Sequence, residues 1–294
     1  MLSGQNHAML RNMRLDGRRT SSNVSDRRRT GKATAGLGIG GLIVVGIITL
    51  IMGGNPLEIL TSQLANTSGV SNYIPSAEED AMAVFASQIL AGTEDVWTTE
   101  FKKMGRQYVP PQLVLFTRAT SSGCGSASSQ TGPFYCSADQ TVYIDLSFFD
   151  EMKDQLHAGG DFAYAYVIAH EVGHHVQYLL GTLDQVHKLQ NRMSKAEANQ
   201  MSVRLELQAD YYAGVWAYHD NKMYNSLESG DIEEGLNAAS SIGDDRLQME
   251  AQGYTVPDSF NHGTSAQRVK WLRKCASTGI VADGDTFSLD YSAL

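Results

Sequence analysis

The longest uninterrupted feature of the hydropathy pattern runs from 33 to 54, ATAGLGIGGLIVVGIITLIMGG, without a single charge. A helix needs about 20 apolar residues to cross the hydrocarbon core of a bilayer, so the pattern predicts one transmembrane helix over 34–54. A buried core helix is the competing reading, but core helices of this length rarely lack a polar stripe. Gly36, Gly38, Gly40, Gly41 and Gly46 would weaken a soluble helix, whereas membrane helices use glycine more freely. A cleaved signal peptide has a shorter apolar region ending in a small-residue cleavage site; NPLEILTSQL follows here, and a retained anchor is expected. Residues 55–75 then read as a linker and 76–294 as one folded domain.

Within that domain Ser76 resembles an N-cap, with Glu78 and Glu79 in the first turn of a helix through AMAVFASQIL. A second helix is expected at about 92–105, ahead of Pro110 and Pro111. LVLFTRA, FYC and TVYIDLSFF read as strands. Helices are expected over about 161–180, 183–193, 195–222, 230–249 and 264–277. Strands come early and helices dominate later, so the expected class is α+β, mostly helical with a small sheet.

Composition changes the picture through charge. The 294 residues are 42% hydrophobic and 19% charged, which excludes a disordered or collagen-like chain. The net charge of -9 argues against a nucleic-acid partner. Yet residues 1–33 carry eight basic groups (Arg11, Arg14, Arg18, Arg19, Arg27, Arg28, Arg29, Lys32) against Asp16 and Asp26, or +6, leaving -15 for the remainder. The positive-inside rule accounts for that asymmetry by keeping a 1–33 arm in the cytoplasm and sending 55–294 across. Anionic lipid is a further expected contact of the arm. The expected protein is therefore single-pass, with its N-terminus cytoplasmic and its domain periplasmic or extracellular. Cys124 and Cys136 bracket CGSASSQTGPFYC, and a disulfide between them suits an oxidising compartment; two unrelated thiols are the alternative. Cys275 is left over as a buried thiol. Gly36 and Gly40 have the G-x-x-x-G spacing that supports helix pairing, so oligomerisation through the span is a possible partner interaction.

The strongest chemical signal lies in DFAYAYVIAHEVGHHVQYLLG, which contains H-E-x-x-H as His170, Glu171 and His174. Residues i and i+4 share a helix face, so both imidazoles can reach one Zn2+ ion. Glu171 is rotated by about 100° on the same helix and lies beside the metal as a general base. A catalytic zinc site needs a third protein ligand. The H-x-x-G-x-x-H extension is excluded by Gln177 and Leu180, which points to a glutamate on a later helix. VRLELQADYYAGVWAY supplies Glu206 as that ligand, with Asp210 at i+4 to accept the free N–H of a ligating histidine. The alternative is an acidic pair on a solvated face. Their apolar neighbours make bare carboxylates costly and favour ligation. His262, in SFNHGTSAQRVKWL, is either an oxyanion donor or a turn histidine beside Gly263. His175 is expected in outer or surface contact, and His157, His187 and His219 at the surface. Tyr211 and Tyr212 are further possible donors, although core packing suits each better.

HEVGHH followed by LELQADYYAGVW resembles the bacterial membrane-anchored family of neutral zinc metallopeptidases. MRLDGRRTSSNVSDRRR, GPFYCSADQTVYIDLSFF and HGTSAQRVKW resemble its N-terminal, central and closing segments, so the likeness runs from about Met13 onward. Met13 is accordingly an alternative to Met1 as the start. The resemblance implies a zincin-like metallopeptidase of the glutamate-ligand type, with an edge strand above the catalytic helix holding extended substrate. TVYIDLS is the expected strand, with the bridged loop as a rim. The His-Gly segment is similar to a His-Pro segment of other glutamate zincins, whose histidine stabilises the transition state. The expected activity is a membrane-anchored zinc endopeptidase with His170, His174 and Glu206 on the metal, Glu171 and His262 catalytic, and protein or peptide and the lipid bilayer as partners. A zinc-containing binding or scaffold module without proteolysis, and a hydrolase of non-peptide amides, remain as rivals.

Overall fold

The computed structural model describes residues 13–29 and 73–294. The expected transmembrane helix over 34–54 lies outside the described residues, as does most of the linker. Among the described residues, no helix is long and apolar enough to cross a membrane.

The described chain is a helix-rich α+β body. β1 (Val24–Asp26) is followed by α1 (Ala77–Lys103), β2 (Gln112–Phe116), β3 (Ala119–Ser122), β4 (Gly125–Ser128), β5 (Phe134–Cys136) and β6 (Thr141–Asp145). Then come α2 (Ser147–Asp154), α3 (Asp161–Leu180), α4 (Thr182–Gln190), α5 (Lys195–Tyr224), α6 (Asp231–Ser241), α7 (Asp244–Gln252) and α8 (Ser265–Ala276). One sheet has the order β1-β2-β6-β5, with β1, β2 and β6 parallel and β5 antiparallel to β6. β3 and β4 form a separate antiparallel hairpin.

Several expected boundaries move. The two helices expected between 76 and 105 are one, α1, because nothing in LAGTEDVW breaks the helical repeat. Ser76 and Glu79 close its capping box: the Glu79 amide donates to Ser76 Oγ and the Ser76 amide to Glu79. The expected strand through Phe149 stops at Asp145, whose carboxylate accepts from the Ser147 amide and hydroxyl and turns the chain into α2. The helix expected over 230–249 is two, α6 and α7, which meet at Gly243. There a Cβ would lie 2.3 Å from the Ser265 amide nitrogen, so the chain turns where α8 begins.

The largest departure concerns the arm. Residues 13–29, expected as part of a separate cytoplasmic unit, are built into the folded body. β1 pairs with β2 in the register Val24 to Leu113 and Asp26 to Leu115, and Met13 is buried in the main core. The sequence pattern misses this because the arm's partners lie far away in the chain, on α1, β2 and α5.

α3 runs through the centre. It starts after Gly160, carries Asp161 in its first turn, where an acid suits the helix dipole, and ends at Gly181 in the left-handed conformation. Phe162, Tyr166, Ile168 and Val172 bury one side of it among Trp97, Trp216 and Trp271. α3 and α5 pack closely at Gly173, where a Cβ would lie 3.0 Å from the Ala209 carbonyl oxygen. That approach brings the middle of α5, with Glu206 and Asp210, against the motif on α3.

Candidate metal centre

The donor atoms of His170, His174 and Glu206 all lie within 4.8 Å of one another. His170 Nε2 is 3.1 Å from Glu206 Oε2, and His174 Nε2 is 3.4 Å from Glu206 Oε1. A tetrahedral zinc ion with bonds near 2.1 Å separates its ligand atoms by about 3.4 Å, so the three groups fit that ion. Their spacing follows from helix geometry on α3 combined with the close crossing of α5.

Outer contacts fix which nitrogen of each imidazole faces inward. His170 Nδ1 lies 2.8 Å from Asp210 Oδ1, and His174 Nδ1 lies 2.9 Å from Gln177 Oε1. Carboxylate and amide oxygens only accept, so both Nδ1 atoms carry a proton and both Nε2 atoms are turned to Glu206, where a metal would replace their protons. Gln177 is itself oriented, its amide donating to the Leu205 carbonyl and to Gln208.

Asp210 is fully buried and receives four donors. Tyr166 Oη is at 2.5 Å, His170 Nδ1 at 2.8 Å, and Arg268 Nε and Nη2 each at 2.9 Å. Burial alone would raise its pKa, but Arg268 and His170 outweigh burial and hold it at about 2. Burial also opposes charge on His170, yet Asp210 and Glu206 overcome it and lift that imidazole to about 10. Glu206 is driven the other way, well below the usual carboxylate range, because the two histidines outweigh its burial. This concentrated negative field holds protons on imidazole and equally favours a dication in their place. Glu171 is buried beside it, and burial raises its pKa.

His262 sits in the loop before α8, held by Asp244 at the start of α7. Asp244 Oδ2 accepts the amides of Asn261, His262 and Gly263, and Oδ1 lies 3.1 Å from His262 Nδ1. Burial disfavours charge on His262, but Asp244 and the nearby Glu206 raise its pKa. With Nδ1 committed to Asp244, Nε2 is the ring nitrogen left to donate elsewhere.

The structure places the expected residues His170, Glu171, His174, Glu206 and Asp210 beside one another, and adds Gln177, Arg268, Tyr166 and Asp244, which sequence reasoning missed. Tyr166 was accessible in principle, four residues before His170 on the same face. Arg268 stands in RVKWLRKCA as one base among several, and only its tertiary position distinguishes it. His175 is not a surface residue: it is fully buried, and burial pushes its pKa down to about 4. Its Nδ1 accepts from Tyr135 Oη at 2.9 Å and its Nε2 donates to the Val109 carbonyl at 2.7 Å. His219, also expected at the surface, is largely enclosed and contacts the Gly279 carbonyl. Tyr211 and Tyr212 are core residues. Cys124 and Cys136 are disulfide-bonded, and Cys275 is a buried free thiol.

TVYIDLS cannot be the edge that holds a substrate, because β6 lies between β2 and β5. Among the described strands of this sheet the edges are β1 and β5, and β5 is tied to α3 through Tyr135 and His175.

Residues 13–287 match the family described as "Putative neutral zinc metallopeptidase". The chain belongs to that family. The zinc metallopeptidase match spans both the arm and the metal centre. Among similar proteins, the uncharacterized protein YpfJ of Escherichia coli strain K12 is 50% identical over 286 residues, covering 94% of this chain and 99% of its own length. The uncharacterized protein Rv2575 of Mycobacterium tuberculosis strain H37Rv is 43% identical over 191 residues, covering 62% of this chain and 64% of its own. No solved structure matches.

Proposed function

We propose that the protein is a zinc-dependent endopeptidase with a zincin-like catalytic domain. The observation that carries this reading is the pair of histidines with both Nε2 atoms turned to Glu206, with the Glu171 carboxylate adjoining. When bound there, zinc would acidify a water and polarise a scissile carbonyl. Glu171 would take a proton from that water and pass it to the leaving amine. Asp210, clamped by Arg268 and Tyr166, keeps His170 in the ligating tautomer, and Gln177 does the same for His174. His262, aligned by Asp244, donates from Nε2 to the carbonyl oxygen as negative charge develops. Among the described residues no strand pairs with the outer edge of β5, which leaves it to an extended peptide, with the Cys124–Cys136 loop beside it. The apolar run at 33–54 supports attachment to a bilayer, and the disulfide supports an oxidising compartment.

The test uses the full chain and a mixed peptide library, with and without a chelator. Chelator-sensitive cleavage is expected, and Glu171→Gln should keep its zinc while losing roughly 10²- to 10⁴-fold in rate. A zinc-held scaffold would give no cleavage in either arm. Full turnover by zinc-loaded Glu171→Gln would remove Glu171 as the base.

A further inference from the structure

The contacts of residues 13–29 bear on how the protein meets a membrane, independently of the peptidase reading. Arg18 forms a bidentate pair with Asp220 on α5, at 2.7 and 3.1 Å, and its guanidinium lies 3.9 Å from the Tyr224 ring centroid. Arg19 reaches Glu94 and Asp95 on α1 at 2.9 and 2.6 Å. Arg28 and Arg29 both reach Asp80, and Arg14 reaches Glu228. Ser21 and Asn23 donate to Glu94 as well. The backbone joins in: the Leu113 amide donates to the Asn23 carbonyl and the Arg27 amide to the Leu115 carbonyl. Five arginines of the arm thus each meet a carboxylate of the later chain. That pairing gives the +6 and -15 halves an intramolecular cause that membrane orientation is not needed to supply.

An independent observation lies on the other partner. Gly92 sits mid-helix in α1, a position where glycine costs about 1 kcal/mol relative to alanine. A Cβ there would lie 2.6 Å from Asp220 Oδ1 and 2.7 Å from Arg18 Nη2. The helix therefore carries a gap where the arm's ion pair sits, and the domain is shaped around the arm.

Between the two described parts, 30–72 contains one run of about the 20 apolar residues a crossing needs. The following NPLEILTSQLANTSGVSN carries Glu58 and many polar groups. A single crossing would place 13–29 and 73–294 on opposite faces of the bilayer, where neither strand pairing nor ion pairing is available to them. We infer that residues 13–29 and 73–294 lie on the same side of the membrane and form one folded unit there. Exchange of arms between two copies would demand the same arrangement.

The test places a cysteine at exposed Thr20 and, separately, at exposed Lys195 in the full chain expressed in cells; the native thiol Cys275 is buried. Labelling by a membrane-impermeant maleimide is compared before and after permeabilisation. The two variants are expected to behave alike, whether both react in intact cells or both only after permeabilisation. Opposite behaviour would overturn the inference. A second measurement reads the packing itself: Arg18→Glu should lower Tm by roughly 5–15 °C, and adding Asp220→Arg should restore much of the loss. An unchanged Tm in Arg18→Glu would also overturn it.

Discussion

Asp210 concentrates much of the site's energetics in one side chain. Its carboxylate is wholly enclosed and is held ionised by Arg268, which is itself buried. Removing one member of such a pair leaves an uncompensated buried charge, at a cost of about 3–5 kcal/mol. Arg268→Ala should therefore lower unfolding free energy by about that amount in a denaturant titration. Asp210→Asn keeps the volume but loses the charged acceptor for His170, and should weaken zinc binding roughly 10- to 100-fold in a competition titration. Unaltered affinity in that variant would show that Asp210 does not orient the ligand. His170 with His174, and Glu206 with Asp210, were legible as pairs because i and i+4 lie on one helix face whatever the tertiary structure. Arg268 and Asp244 were not, since each acts on a residue many positions away and neither has a local pattern to mark it.

At the scale of elements, the site depends on how near α5 comes to α3. Gly173 sets that distance, because a Cβ there already reaches 3.0 Å from the Ala209 carbonyl and 3.1 Å from its Cα. Both contacts are backbone, which cannot swing aside as a side-chain tip can. Gly173→Val should push the helices apart, lower Tm and reduce zinc content. A variant with normal zinc affinity would show that the crossing is not limiting. The helices were largely readable from capping and apolar periodicity: α5 and α8 both begin in complete capping boxes, Ser194 with Glu197 and Thr264 with Gln267. Strand order was not readable. Nothing in FYC or TVYID says which of them is the edge, because that follows from β1 and β2 packing on the far side of β6.

For the whole molecule, charge pairing between distant segments decides what belongs together. The arm's composition was plain in the sequence, but its partners were not, and a local rule assigned the charge to a membrane face. A second acidic group lies where the arm enters the core: Asp161, Asp231 and Glu234 cluster together, and the Met13 amide donates to Asp161. Burial, reinforced by Asp161 and Asp231, raises Glu234 to about 7. Its folded pKa exceeds the ordinary carboxylate value, so the folded state binds more protons than the unfolded state and loses stability as pH rises from about 4.5 to 7. Tm should fall across that window, and Glu234→Gln should flatten the fall, with the largest gain over the parent protein near pH 8. An identical pH profile would contradict the assignment. The central claim, that His170, His174 and Glu206 hold zinc, is tested most directly by X-ray absorption at the zinc edge of the purified full-length protein. One zinc is expected, with two imidazole nitrogens near 2.0–2.1 Å and carboxylate or water oxygen near 2.0–2.2 Å, and with loss of the carboxylate contribution in Glu206→Ala. A sulfur shell near 2.3 Å, or a spectrum unchanged by Glu206→Ala, would contradict it.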